Sequence, residues 1–189
     1  MGSPIPARFK CVLLGEAGVG KSSMAMRLKY DRFDPDGLPT IGAGYLTCQV
    51  NVDDVRVELE IWDTAGQERY QALTPMYYRG ADIALLVFDA RHPTRGTSEH
   101  EWRERLLLGA PEAVVAVALN KCDLLESVVS DRASDAALTF WTSAKSNRNV
   151  EATFTAAIRH ALRVRATPPN PVLDLRHTEC GTCGGCGLY

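Results

Sequence analysis

Short apolar runs recur along the chain at Phe9 to Leu14, Tyr45 to Val52, Val55 to Trp62, Ile83 to Phe88, Val114 to Leu119 and Leu138 to Thr142. Each has the length of a strand, and stretches with helical periodicity separate most of them. These lie at Ser22 to Tyr30, Glu68 to Tyr78, Thr97 to Leu108, weakly near Val128 to Ala137, and at Val150 to Arg165. The alternation predicts an α/β fold: a six-stranded, mostly parallel sheet with helices on both faces. Tyr45 to Trp62 is the exception, because two strands there flank the turn residues Asn51 to Asp54 at hairpin spacing. One antiparallel edge pair is therefore expected, which makes the sheet mixed. Residues 1–166 read as a single domain. Beyond them Pro168, Pro169, Asn170 and Pro171 precede a Gly/Cys-rich end, so 167–189 is expected to be a flexible tail.

Composition narrows the function. A chain of 189 residues suits one well-buried domain, and a net charge of −2 provides no basic footprint for nucleic acid. The longest apolar runs are too short to span a bilayer, so membrane contact would need an anchor. The first residues show neither a secretory leader nor a myristoylation signal, and a cytoplasmic protein is expected. Cys11, Cys48 and Cys122 are widely spaced and read as buried or structural thiols of a reducing compartment. Cys180, Cys183 and Cys186 crowd the end of the chain.

The chemistry begins at Gly15 to Ser22, which reads GEAGVGKS between a strand and a helix. In a GxxxxGK[ST] loop the backbone N–H groups turn toward nucleotide phosphates. Gly15 and Gly20 permit the close backbone approach, and Gly18 loosens the loop. Lys21 is placed to reach the β- and γ-phosphates and the Ser22 hydroxyl to ligate Mg²⁺, while the following helix N-terminus adds its dipole. The expected phosphate-binding set is Gly15, Ala17, Gly18, Val19, Gly20, Lys21, Ser22 and Ser23.

Two further segments stand at strand ends. Asp63 to Glu68 reads DTAGQE. There Asp63 suits an Mg²⁺-associated carboxylate, Gly66 can bring its N–H to a γ-phosphate, and Gln67 can orient a water for in-line attack. An Asx-type turn opening a helix would explain Asp63 and Gly66 alone. Asn120 to Asp123 reads NKCD. Asp123 can accept from guanine's N1–H and exocyclic amine, whereas adenine would leave the carboxylate desolvated and unsatisfied. Asn120 can brace loop and base, the Lys121 stem can cover the base face, and Ser143, Ala144 and Lys145 can offer the Ala144 amide to the guanine oxygen.

Together GEAGVGKS, the Thr40 to Gly42 TIG, WDTAGQE, NKCD and SAK resemble the Ras superfamily in order and spacing, over Arg8 to Arg165. TIGAGYLT, WDTAGQERY and PMYYRGAD resemble its Rab branch, nearest to the early-endosomal Rabs. The resemblance implies a P-loop GTPase domain that cycles between GTP and GDP and hydrolyses GTP with Gln67 as the catalytic residue. It further implies that Thr40 completes the Mg²⁺ shell, that Phe33 stacks against the guanine edge, and that Tyr45, Trp62 and Tyr77 form an effector-reading triad. Ordinary core or hairpin packing would account for those three aromatics equally well. Loss of the γ-phosphate would release the segments near Phe33 to Gly44 and Ala65 to Arg79. Implied partners are effectors, an exchange factor, an activating protein and an escort or GDI-type chaperone, with the protein monomeric and cycling to endosomal membranes.

Some residues depart from the pattern. Ala17 stands where many relatives carry Gly, and its methyl is expected to slow hydrolysis modestly. A nucleotide-locked binding scaffold is the rival reading; an ATP-using phosphotransferase is opposed by Asp123. The segment Leu124 to Leu138 is short, with its helix reduced to a turn or two. Prenylation of Cys180, Cys183 or Cys186 is expected even though Gly187 and Tyr189 are atypical beside Cys186, and paired lipids would be needed for firm binding. Zinc binding by His177 and those three cysteines is the alternative.

Overall fold

The computed structural model describes residues 6–67, 74–93, 96–126, 132–134 and 138–166. The strands are β1 (Ala7–Leu14), β2 (Ala43–Val52), β3 (Val55–Thr64), β4 (Ile83–Asp89), β5 (Val114–Asn120), β6 (Arg132–Ser134) and β7 (Thr139–Trp141). The helices are α1 (Lys21–Tyr30), α2 (Thr74–Tyr78), α3 (Glu99–Leu107) and α4 (Val150–Ala166). Sheet order is β2-β3-β1-β4-β5-β7-β6. Five central strands run parallel, and the two edge strands are antiparallel to their neighbours.

All six strands anticipated from the apolar runs are present, with ends shifted by one or two residues. The seventh, β6, corrects the weak helix anticipated near Val128 to Ala137: at 132–134 the chain instead ladders against β7. The short connection leaves little length for a helix, and the open edge of β7 offers backbone partners. The remaining residues of that expected helix, the start of the one at Glu68, and the whole tail with His177, Cys180, Cys183 and Cys186 lie outside the described residues.

Strand periodicity divides the core. From β1, Phe9, Cys11 and Leu13 enter one hydrophobic cluster with Met24 and Ala25 of α1 and Phe154, Ala157, Ile158 and Ala161 of α4. Val12 and Leu14 point oppositely, toward Tyr78, Trp102 and Leu106. Each of these β1 side chains is essentially fully buried, so the strand carrying the phosphate loop is packed on both faces. Cys11 and Cys122 are buried as anticipated, but Cys48 is only half-buried.

Two local devices fix the connections. The β2–β3 hairpin turns on Asp53 and Asp54, with φ of 48° and 65°, a left-handed pair usually filled by Asn or Gly. Arg159 of α4 grips Asp53 through two hydrogen bonds of 2.6 and 2.9 Å, tying the strained turn to the domain. At α3, Ser98 and Glu101 form a reciprocal capping box, which starts the helix after Ser98 rather than at Thr97. Among the described residues no helix is long and apolar enough to cross a membrane.

Candidate functional site

β1 lies between β3 and β4 while the chain from it leads, through α1, to the sheet edge, so a crevice opens at the carboxyl ends of the parallel strands. The Gly15 to Ser22 loop fills that crevice. Gly15 has φ 141°, and a Cβ there would collide with the Val87 carbonyl; Gly20 has φ 99°, and a Cβ would strike Asn120. Both positions therefore exclude side chains for steric as well as torsional reasons. Lys21 is 5% exposed, and its Nζ donates to the carbonyls of Gly15 and Glu16 at 2.8 Å each, curling over the loop. Burial pushes its pKa down to about 8, against the opposing pull of Asp63 and Glu16. A cation desolvated in this way gains strongly from a phosphate.

Next to it, three oxygen-bearing side chains converge from three segments. The Ser22 Oγ and Thr40 Oγ1 share a hydrogen bond of 2.7 Å, and Thr40 Oγ1 donates to Asp63 Oδ2 at 3.4 Å. Asp63 is 5% exposed, and its Oδ1 is buried without a hydrogen-bond partner. Burial raises the Asp63 pKa despite bonds from Ser22 and Thr40 and the nearby Lys21 charge. A buried, under-satisfied carboxylate oxygen beside two hydroxyls is a donor set suited to a hard cation such as Mg²⁺. Gly66 is seated on the loop so closely that a Cβ would collide with the backbone of Glu16 and Ala17.

The other end of the crevice is built from the ends of β5 and β7. Asn120 is 2% exposed; its Nδ2 donates to Val19 O at 2.8 Å, and its Oδ1 accepts from the Ala144 amide at 3.1 Å. That amide, expected to face a guanine oxygen, is thus already engaged by Asn120. Ser143 Oγ donates to Asp123 Oδ1 at 2.5 Å, orienting a carboxylate that is otherwise exposed. Lys121 adopts φ 65° and sends Nζ to Asp89 Oδ2 at 2.9 Å, which draws its stem along the cleft wall. Arg91 binds the same Asp89 carboxylate through Nε and Nη2.

These parts open on one cleft of about 680 Å³, within the range of small-molecule sites. Of the anticipated residues, Ala17, Gly18, Gly20, Lys21, Ser22, Ser23, Phe33, Thr40, Gly66, Gln67, Asn120, Lys121, Asp123, Ala144 and Lys145 line it. Gly15, Val19, Asp63 and Ser143 stand behind the wall, and the Val19 side chain belongs to the core. Sequence reasoning missed the stretch Asp34, Pro35, Gly37, Leu38 and Pro39, together with Thr64 and Leu124, as lining residues. The stretch lies within the Phe33 to Gly44 segment expected to respond to the γ-phosphate, in which only Phe33 and Thr40 are expected site residues. Tyr45, Trp62 and Tyr77 adjoin one another, with ring centroids 5.1 Å apart for the first pair and 6.0 Å for the second. Tyr45 is 54% exposed, as are the apolar Ile41 and Met76 to a greater degree.

Comparison with known proteins places this geometry. The profile of the Ras family matches residues 10–163. The mouse Ras-related protein Rab-22A is 42% identical over 86% of this chain and 87% of its own length. The GTP-binding protein ypt5 of Schizosaccharomyces pombe is 44% identical over 78% of this chain and 74% of its own. The Arabidopsis thaliana Ras-related protein RABF2b is 41% identical over 94% of both chains.

Proposed function

Since the chain belongs to the Ras family, within its Rab branch, we propose that the cleft holds guanine nucleotide through the residues described above and reports its state through the Phe33 to Gly44 and Ala65 to Arg79 segments. The protein is a Rab-like small GTPase, a guanine-nucleotide switch in membrane traffic. Rab proteins generally work with effectors, exchange factors, activating proteins and GDI-type chaperones.

The observation that carries the proposal is the joining of two recognition elements by one side chain: Asn120 bonds the phosphate loop at Val19 and the Ala144 loop at its amide. Backbone amides and Lys21 would bind the phosphates, and Asp123, oriented by Ser143, would accept from the guanine edge. Ser22, Thr40 and Asp63 would hold Mg²⁺, which when bound neutralises phosphate charge. Gln67 lines the cleft, where its amide would hold a water beside the terminal phosphate. Gly66, packed on the loop backbone, and Thr40, bonded to Ser22, tie both segments to the phosphate end. Removal of the terminal phosphoryl group would weaken those ties and alter the exposed Ile41, Tyr45 and Met76 surface.

Attachment to the cytoplasmic face of endosomal membranes belongs to the same proposal, supported by the likeness to Rab-22A; one or two prenyl groups on Cys186, Cys183 or Cys180 would supply the anchor. Mass spectrometry of the C-terminal peptide tests it, with an unmodified mass contradicting the lipid. The switch itself is tested by single-turnover GTP hydrolysis: slow turnover accelerated by an activating protein is expected. No turnover in either condition would return the nucleotide-locked scaffold.

A further inference from the structure

Arg27 lies on α1, away from every sequence motif, and its side chain is only 12% exposed. Its Nε donates to the Ala144 carbonyl at 2.9 Å and its Nη2 to the Lys145 carbonyl at 3.1 Å. Its Nη1 donates to both the carbonyl and Oδ1 of Asp31, at 2.8 and 2.9 Å. Asn147 Nδ2 closes the knot by donating to the same Asp31 oxygen at 3.0 Å. An exposed Arg–Asp pair four residues apart on a helix contributes only a few tenths of a kcal/mol. This guanidinium is different, because two of its bonds go to carbonyls of a loop more than a hundred residues away.

That loop is the one that orients the base-facing groups. Ser143 holds Asp123, and the Ala144 amide holds Asn120. Asp31 is the left-handed C-cap of α1, two residues before Phe33 on the cleft wall. We infer that Arg27 is a positioning residue for guanine recognition: it sets the Ser143 to Lys145 loop, and through Asp31 it locks that loop to the root of the segment bearing Phe33. The inference rests on the guanine-binding reading above. It has a functional corollary: displacement of the Phe33 segment by a partner strains the base-reading loop, coupling its opening to nucleotide release.

Affinities for GDP and for IDP, whose base lacks the exocyclic amine, separate this role from general stability. Loss of one bond to the Asp123 carboxylate should make the native protein prefer GDP by about tenfold or more. In Arg27→Gln the ratio should fall by about threefold or more, because Asp123 is no longer held in register, with Arg27→Lys recovering part of it through a single bond to Ala144 O. A variant that weakens both ligands equally, leaving the ratio intact, would overturn the inference. Asp31→Gly removes both bonds to Oδ1, from Arg27 and from Asn147, without strain, since φ there is 51°, and leaves Arg27 only its bond to the backbone carbonyl at that position. It should speed GDP dissociation several-fold while keeping the native GDP/IDP ratio; an unchanged dissociation rate would overturn the link to the Phe33 segment. If the native protein itself showed no preference for GDP over IDP or ADP, the guanine reading would fail, a result distinct from failure of the Arg27 role.

Discussion

Asn120 and Val19 stand 101 residues apart in sequence, yet the Asn120 Nδ2 donates to the Val19 carbonyl at 2.8 Å. The bond makes the phosphate loop and the base-reading loop one rigid unit, because the same amide accepts from Ala144. Asn120→Ala would leave the Val19 carbonyl and the Ala144 amide without their partner, and each buried orphan costs about 1–3 kcal/mol. GDP dissociation should accelerate by about a hundredfold, as read by chase of a fluorescent analogue. A change of less than about threefold would mean that the two loops hold their positions independently.

Gly66 meets the phosphate loop backbone directly, with no room for a Cβ against Glu16 or Ala17. Backbone cannot yield as a flexible side chain does, so Gly66→Ala should hold the following segment away from the loop. GTP hydrolysis should fall by about tenfold or more with GDP affinity nearly retained, since the contact serves the terminal phosphate end. Equal losses in both would show that Gly66 serves the fold alone.

Gln67 and Ala17 both line the cleft. Gln67→Leu keeps bulk and removes the amide, and single-turnover hydrolysis should drop by about tenfold or more without loss of nucleotide affinity. Ala17→Gly removes a methyl from the same neighbourhood and should raise the rate a few-fold. An unchanged rate in Gln67→Leu would take the water-positioning role from that residue.

Asp89 titrates far from its ordinary value of 3.8, because hydrogen bonds from Arg91 and then Lys121 outweigh burial and hold the carboxyl well below the usual carboxylate range. A lowered folded-state pKa contributes stability that is full above the unfolded value and lost as pH falls toward the folded one. The stability gap between the native protein and Asp89→Asn should therefore be constant from neutral pH down to about 5 and narrow below it. A gap that narrowed between pH 6 and 8 would place the titrating group elsewhere.

The fold was legible where apolar runs were long. Ile83 to Phe88 read correctly because a strand buried on both faces leaves an unbroken apolar signal, and Phe9 to Leu14 did so with Lys10 as its one interruption. The three-residue β6 was not legible, since its pairing is set by the free edge of β7 and not by its own residues. At the site, GEAGVGKS and NKCD announced themselves through glycine torsions and a carboxylate at fixed offsets. Arg27 gave no such sign: one basic residue on an ordinary helix becomes informative only once folding brings Ala144 and Lys145 beside it. Asp34 to Pro39 lies inside the segment expected to respond to the γ-phosphate, but no motif at fixed offsets singles out its residues, so their place on the cleft wall shows only in the fold.

Calorimetric titration of the nucleotide-free protein with GDP and, separately, ADP, in the presence of Mg²⁺, tests the central claim most directly. The cleft should bind GDP at least about a hundredfold more tightly than ADP, because adenine leaves the Asp123 carboxylate without its two donors. Equal affinity for the two, or no heat with either, would contradict the account.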